Sequence, residues 1–596
     1  MLPNYIMKEY EALKNQHTFD LGHLRKKYNL ISAARLLFAV VFALILYYYT
    51  QPGNAFLVIP LIIVGVAFIL AVRVHRQISW QKLLKNALVK INSNEIAFLE
   101  GTEIPFENGA EFIDSTHAYS FDLDFFGTRS FYHSLNRTAT RMGSRHLAKR
   151  LLSFLANEEI ADTQKAIQEL DRNLEWRQEV LALATINRDS SESYTDLMEW
   201  AKREHKKLSR VVALLSYLLP AFVVTSIVLY FSTPMAVFGN ISLLLVVINL
   251  LILGLHKNRI SEEIVNSTET DKILRQYSHI LEKIETENFE SSKLQGLQRQ
   301  LSTGKTSASI KIAELSNLFG KMDHVQNVFA SPFLNGLFLY HIHTLKALDN
   351  WRAEWSNHIS DWLQVIGEIE ALSSLANFSH NNPQYTYPTL NEEQQITFKD
   401  LGHPLIHSKI RVSNDVTFNP QNFFILTGSN MSGKSTFLRT LGINMVLTSI
   451  GAPVCAAQAN VHPLPVLVSM RLSDSLNDSE SYFFAEVKRL KEIMDSLDNA
   501  ISFVLLDEIL RGTNSDDKRS GTIEVIKKMV NKKAIGAIAT HDLEVCNTAS
   551  EYPDKLANKN FEVEIVDDEL VFDYKLRDGI CKNKSATFLM KKMDVI

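Results

Sequence analysis

The chain has 596 residues, 46% hydrophobic and 21% charged, enough for several domains and a large core. Its formal net charge of −4 supplies no whole-molecule basic field, so any nucleic-acid contact would have to come from a local patch. Three cysteines, Cys455, Cys546 and Cys581, are too few and too scattered for a disulfide framework or a four-ligand zinc site, and they fit a reducing cytoplasm.

Residues 1–30 are polar and charged and read as a cytoplasmic N-terminal segment without a signal peptide. From Leu36 to Val72 no Asp, Glu, Lys or Arg occurs, and the run is broken in its middle by Gln51-Pro-Gly-Asn54. That design predicts a transmembrane hairpin over 31–74, two helices of about 20 residues each, the first extended back past a snorkelling Arg35. Val211 to His256 repeats it around a Ser232-Thr-Pro234 break, which predicts a second transmembrane hairpin over 209–256. Arg25, Lys26, Lys27, Arg73 and Arg76 flank the first run, and Lys202, Arg203, Lys206, Lys207, Arg210 and Lys257 the second, while the central turns carry no charge. By the positive-inside rule both chain ends and the long middle stretch face the cytoplasm, giving a multi-pass protein of the cell membrane in contact with the lipid bilayer. The alternative is a pair of buried core hairpins.

Between the runs, residues 75–115 contain short alternations and turn signals that read as a linker with a small β element. Between and beyond the runs the composition changes to long, charged stretches of helical character. From Arg129 to Leu155 the apolar spacing is helical and would put Arg137, Arg141, Arg145 and Lys149 on one helix face, either to meet phosphates or as a solvated face. Residues 257–385 continue the helical pattern as far as Ser379-His-Asn-Asn-Pro383, a boundary ahead of a C-terminal α/β domain over 386–596.

In that last domain an apolar run, Phe423 to Leu426, precedes Gly428, Ser429, Asn430, Met431, Ser432, Gly433, Lys434 and Ser435, and Thr436 opens a helical stretch. Strand, glycine-rich loop and helix make a phosphate-binding loop. Its backbone N–H groups surround the phosphates of ATP, Lys434 reaches the β/γ oxygens, and the Ser435 hydroxyl ligates Mg²⁺. A second run, Ile501 to Leu506, ends in Asp507 and Glu508. Asp507 would hold the metal and Glu508 would orient and deprotonate the attacking water. A third run, Ala534 to Ala539, leads to Thr540 and His541 at the same sheet edge, where His541 could sense the γ-phosphate.

These residues resemble a known family. Thr427 to Arg439 is similar to the phosphate loop of the MutS mismatch-repair ATPases, including its internal Asn430-Met431. Leu506-Asp-Glu-Ile-Leu-Arg-Gly-Thr513, Ala539-Thr-His541 and Gly402-His-Pro404 resemble further stretches of that family's ATPase domain, and Ser134 to Gly143 the start of its helical core. The resemblance implies a helical core and levers over 116–208 and 257–385, joined to an ABC-class P-loop ATPase domain. It also implies a dimer, here a homodimer, in which a signature serine of one subunit completes the other's site. Ser481 fits that part, in Ser481-Tyr-Phe-Phe-Ala-Glu486, with Tyr482 standing where the family has Thr. The span ahead of the core leaves no room for the family's mismatch-reading and connector domains.

Two functions follow. The resemblance implies an ATPase that binds mismatched or otherwise distorted double-stranded DNA in DNA repair. The alternative is a membrane mechanochemical or scaffold ATPase that does not bind DNA. With Lys434, Asp507, Glu508 and His541 all present, a catalytically silent nucleotide-binding module is disfavoured.

Overall fold

The computed structural model describes residues 2–51, 54–187, 191–203, 208–233, 235–264, 267–303, 306–323, 330–471, 482–566, 569–581 and 590. Helices α1 (Leu2–Tyr49) and α2 (Val58–Glu100) fold back on each other as an antiparallel pair: Asp20 lies 2.8 Å from Lys85, Arg35 Nη1 3.3 Å from His75 Nδ1, and Phe42 against Gly65. With 48 and 43 residues at about 1.5 Å rise, they form rods of roughly 70 and 65 Å. The turn end is apolar and open, with Leu36, Leu37, Ile59, Ile62 and Ile63 all more than 60% exposed.

The small β element expected within 75–115 is absent among the described residues. The chain instead continues α2 to Glu100, because Ile78, Leu88, Ile91 and Glu95 turn to one buried face at helical spacing. Gly101 stops the helix in a left-handed conformation, φ 72°, returning its N–H to Ala97 O and Phe98 O.

The expected basic stripe forms only in part, as a solvated face: Arg141, Arg145 and Lys149 follow one another at helical spacing with Arg145 and Lys149 exposed, while Arg137 is not on the helix. Helix α3 (Arg141–Leu151) begins only after Thr140, whose side chain caps Gly143 N–H, so Arg137 lies in the extended loop before it. Asn136 Oδ1 accepts the Thr138 N–H at 2.9 Å, a local bond that competes with helix. Arg137 turns inward to Glu95, Arg141 pairs with Glu111, and Arg145 lies over the Tyr194 ring.

Helices α4 (Arg210–Ser232) and α5 (Ala236–Leu255) form a second antiparallel pair, joined by a Ser226–Ser242 hydroxyl bond of 2.8 Å. Like the apolar stretches of α1 and α2, they are long and apolar enough to cross a membrane, and at most 17% of each apolar window is buried inside the protein. Helix α6 (Ala330–Phe338) leads into α7 (Tyr340–Asn381), the central rod of the helical region, which packs on α3, Asn157–Arg172 and Ala308–Asp323. The foot of α1–α2 docks on its far end. There Glu95 and Arg137, 3% and 5% exposed, make a two-point ion pair of 2.5 and 3.1 Å, and Glu95 also accepts from Asn377 and Asn381 of α7.

The C-terminal domain is α/β. Strands β1 (Phe423–Gly428), β2 (Val466–Ser469), β3 (Phe503–Asp507), β4 (Ile535–Ala539), β5 (Leu556–Val566) and β6 (Glu569–Asp578) form a sheet of order β6-β5-β1-β4-β3-β2, parallel except for β6. Its central strands are covered on both faces, which is why they read as continuous apolar runs. A four-stranded sheet (Thr389–Leu390, Gln458–Val461, Ile396–Leu401, Asn414–Phe418) packs beside it. Helix α8 (Lys434–Ser449) is wedged between the main sheet and the helical region. Its Gly442 has room for no side chain, since a Cβ would come within 2.8 Å of Leu123 and 3.0 Å of Leu505, and its Ser449 O accepts the Leu155 N–H at 3.3 Å.

Candidate functional site

Register brings the sequence motifs together. Leu426 of β1 pairs with Ala539 of β4, and Ala539 pairs with Asp507 of β3, so the loops after three neighbouring strands leave the sheet at one edge. At the carboxyl edge of a parallel sheet the phosphate loop, Asp507-Glu508 and His541 converge. The loop needs unusual backbone: Gly433 has φ 103° and Met431 φ 67°, and a Cβ on Gly428 would meet Phe561 O at 2.9 Å. Lys434 Nζ donates to Gly428 O and Ser429 O at 2.9 and 3.0 Å and lies 3.4 Å from His541 Nε2. Burial holds the Lys434 ammonium below its ordinary value, against the pull of Glu508 and Asp507. Ser429 and Ser432 keep buried hydroxyls without hydrogen-bond partners, and Asn430, Ser435 and Thr436 line the same cavity.

The Ser435 hydroxyl donates to Asp507 Oδ2 at 2.5 Å, while Asp507 Oδ1 is buried with no hydrogen-bond partner. A hydroxyl beside an unsatisfied carboxylate oxygen is the hard oxygen donor set that suits Mg²⁺, so these two residues fit the metal. Glu508 lies just past the end of β3 with φ 48°, a conformation sparsely populated by non-glycine residues that costs of order 1–3 kcal/mol. Its N–H donates to Ala539 O at 3.0 Å, and its Oε1 lies 2.7 Å from His541 Nε2. The hydrogen bond from His541, with help from Arg511 and Lys434 and against partial burial, holds the Glu508 carboxyl down at about 2.

The following turn is fixed from α9 (Tyr482–Asn499): the buried Glu486 carboxylate accepts the N–H groups of Leu510 and Arg511 at 2.6 and 3.0 Å. Glu486→Ala should therefore release that turn and strand two buried N–H groups. We expect turnover to fall severalfold at nearly unchanged nucleotide affinity, read by steady-state kinetics and equilibrium nucleotide binding. Ser481, the expected trans residue, lies outside the described residues.

The cavity over the loop has a volume of about 550 Å³. Beyond the phosphate end its wall is Leu401, His403, Ile406, Ile410, Phe561 and Tyr574, an apolar slot for a planar base that the sequence reading did not identify. The Gly402-His-Pro404 stretch carried a signal for part of it. Tyr574 carried none, because it reaches the loop only through the pairing of β6 with β5. The rim is stitched by Asn414 Nδ2 donating to Tyr574 O at 3.1 Å. Burial, reinforced by Arg439 and Arg411, holds His403 down at about 4, so it is neutral at pH 7.

Residues 424–593 match the family model MutS domain V. The chain is similar to a "DNA mismatch repair protein MutS" of Methanosarcina acetivorans, 33% identical over 236 residues, which are 38% of this chain and 26% of that protein. It is similar to "MutS protein homolog 4" of Homo sapiens, 27% identical over 258 residues, 41% of this chain and 27% of the relative. A Bacillus cereus "DNA mismatch repair protein MutS" is 32% identical over 227 residues, 36% of this chain and 25% of the relative. The matched part thus spans about a quarter of the length of these curated relatives, and the family model leaves the helical region ahead of residue 424 unassigned.

Proposed function

From the premise that the C-terminal part of the chain is a MutS family ATPase domain, an ATP hydrolase, we propose that the whole protein is a membrane-anchored ATPase, working as a homodimer, whose nucleotide cycle moves the helical levers. ATP phosphates would lie on the N–H groups of Gly428 to Thr436. Lys434 would exchange the carbonyls of Gly428 and Ser429 for phosphate oxygens, which are stronger, charged acceptors. Ser435 and Asp507 would hold Mg²⁺, which offsets negative charge on the phosphates when bound. Glu508 would orient the water and take its proton, and His541, 2.7 Å from the Glu508 carboxylate, would hold it in place and sense the γ-phosphate. Dimerisation with Ser481 acting across the interface follows from the family resemblance, and specific activity should rise with protein density in the membrane.

The observation that carries the membrane reading is the set of four apolar helices that the protein itself leaves uncovered. They would lie in a cell membrane, with the ATPase domain in the cytoplasm. Cysteines introduced at Asn54 and Thr233, in the two turns, should react with a membrane-impermeant maleimide on intact cells, whereas the buried native Cys455 should not. Alkaline carbonate should leave the protein in the pellet; recovery in the soluble fraction without detergent would end this reading.

The second reading is distorted duplex DNA as the partner. The similarity to proteins named for DNA mismatch repair favours it. Against it stand the net charge of −4 and the loss of Arg137 from the basic face, buried on Glu95. Salt-dependent binding of the detergent-purified protein to mismatched, branched and homoduplex DNA separates the two.

A further inference from the structure

Helix α6 lies outside both hairpins, in a stretch read from sequence as part of the lever, yet no Asp, Glu, Lys or Arg occurs from Ala330 to Leu345. It packs on α5 closely enough that a Cβ on Gly336 would sit 3.0 Å from Val246, and Asn249 Nδ2 donates to Gly336 O at 2.8 Å. Val246 and Asn249 precede the flanking Lys257 by 11 and 8 residues. At about 1.5 Å rise they lie roughly 16 and 12 Å inside that flank, where half a hydrocarbon core is about 15 Å deep. Whatever touches them there shares their depth. Clear of that contact, α6 leaves Phe333 and Phe338 64% and 44% exposed.

The joint to α7 satisfies its backbone groups internally. Leu339 breaks the helix with φ 48°. Its N–H goes to Asn335 O at 3.0 Å, the His341 N–H to Asn335 Oδ1 at 3.0 Å, and Asn335 Nδ2 to Ser331 O at 2.8 Å. Asn335, Leu339 and His341 are fully buried. Burial inside the protein already requires these partners, and the same internal set keeps these groups paired where the surroundings are lipid. One turn on, His343 Nε2 reaches Ser216 O of α4 at 2.8 Å.

We propose that α6 and the first turn of α7 form a fifth bilayer-embedded element, seated in the cytoplasmic leaflet against α5 and meeting lipid acyl chains through Phe333 and Phe338. This rests on the reading of α4–α5 as a membrane hairpin. It makes α7 a single rod of 42 residues, about 63 Å, that starts among lipid and ends where Asn377 and Asn381 hold Glu95, so lever motion is delivered directly to the bilayer.

The test is nitroxide accessibility in the full-length protein reconstituted in phosphatidylcholine vesicles, with single labels at Phe333→Cys, Val247→Cys on α5 and Asp361→Cys on the exposed middle of α7. Oxygen collects in the hydrocarbon, and a nickel chelate stays in water. The expected result is an oxygen-to-nickel ratio at 333 equal to that at 247 and several-fold above that at 361. A ratio at 333 equal to that at 361, with 247 still oxygen-rich, overturns the inference and leaves the hairpin standing. Water-like ratios at both 247 and 333 remove the hairpin reading and the inference together.

Discussion

Glu508→Gln is expected to bind Mg-ATP with wild-type affinity and to lose turnover by about 10²–10⁴-fold, the range over which a positioned general base acts. The carboxyl sits at the sheet edge on a strained backbone, with its N–H on Ala539 O and its Oε1 on His541, and is held at about 2, so it is ionised throughout the neutral range. The amide keeps the shape and removes the charge that takes a proton. His541→Ala should lower turnover for a related reason and move the acid limb of the pH profile. Without that hydrogen bond the Glu508 carboxyl rises toward its ordinary value near 4.5, so activity should fail at a higher pH than in the wild type. Lys434→Ala should instead weaken nucleotide binding, because its ammonium meets the phosphates in ground state and transition state alike. Single-turnover hydrolysis beside equilibrium nucleotide binding separates these variants. A wild-type rate in Glu508→Gln would remove the residue from its assigned part.

Glu95→Ala is expected to destabilise the protein by about 3–5 kcal/mol, the cost of leaving one partner of a buried pair alone. Arg137 is 5% exposed, lies over the rings of Phe98 and Phe106, and loses its only carboxylate partner among the described residues. Asn377 and Asn381 lose an acceptor in the same step. Because Glu95 belongs to α2, Asn377 and Asn381 to α7, and Arg137 to the loop before α3, the loss should loosen the foot of the first hairpin from the helical region. Chemical denaturation in detergent should read the stability change, and limited proteolysis near Gly101 the loosening. The double variant Glu95→Leu, Arg137→Met should recover most of the loss, since two apolar side chains need no partner. Glu95→Ala melting like the wild type would show the pair to be solvated.

The amino-acid sequence by itself determined three neighbouring strands of the six-stranded sheet, β1, β3 and β4, the phosphate loop, the acids at the end of β3 and the apolar hairpins. Each is a local pattern: a buried parallel strand is a run of apolar residues, and the loop needs its glycines at fixed offsets whatever surrounds it. Local pattern failed wherever a polar residue is buried against something distant in the chain. Residues 75–115 read as a linker with a small β element, yet within them Asn92 exchanges two hydrogen bonds with Gln178 and Glu95 takes Arg137, so α2 runs on through both. Arg137 read as part of a basic face for the same reason. Tyr574 and Asn414 join the nucleotide cavity only because β6 folds back on β5 and the small sheet abuts it. The tertiary structure alone decided these points, because the free energy of a buried charge or amide depends on the partner that folding brings to it, and no spacing within its own segment records that partner.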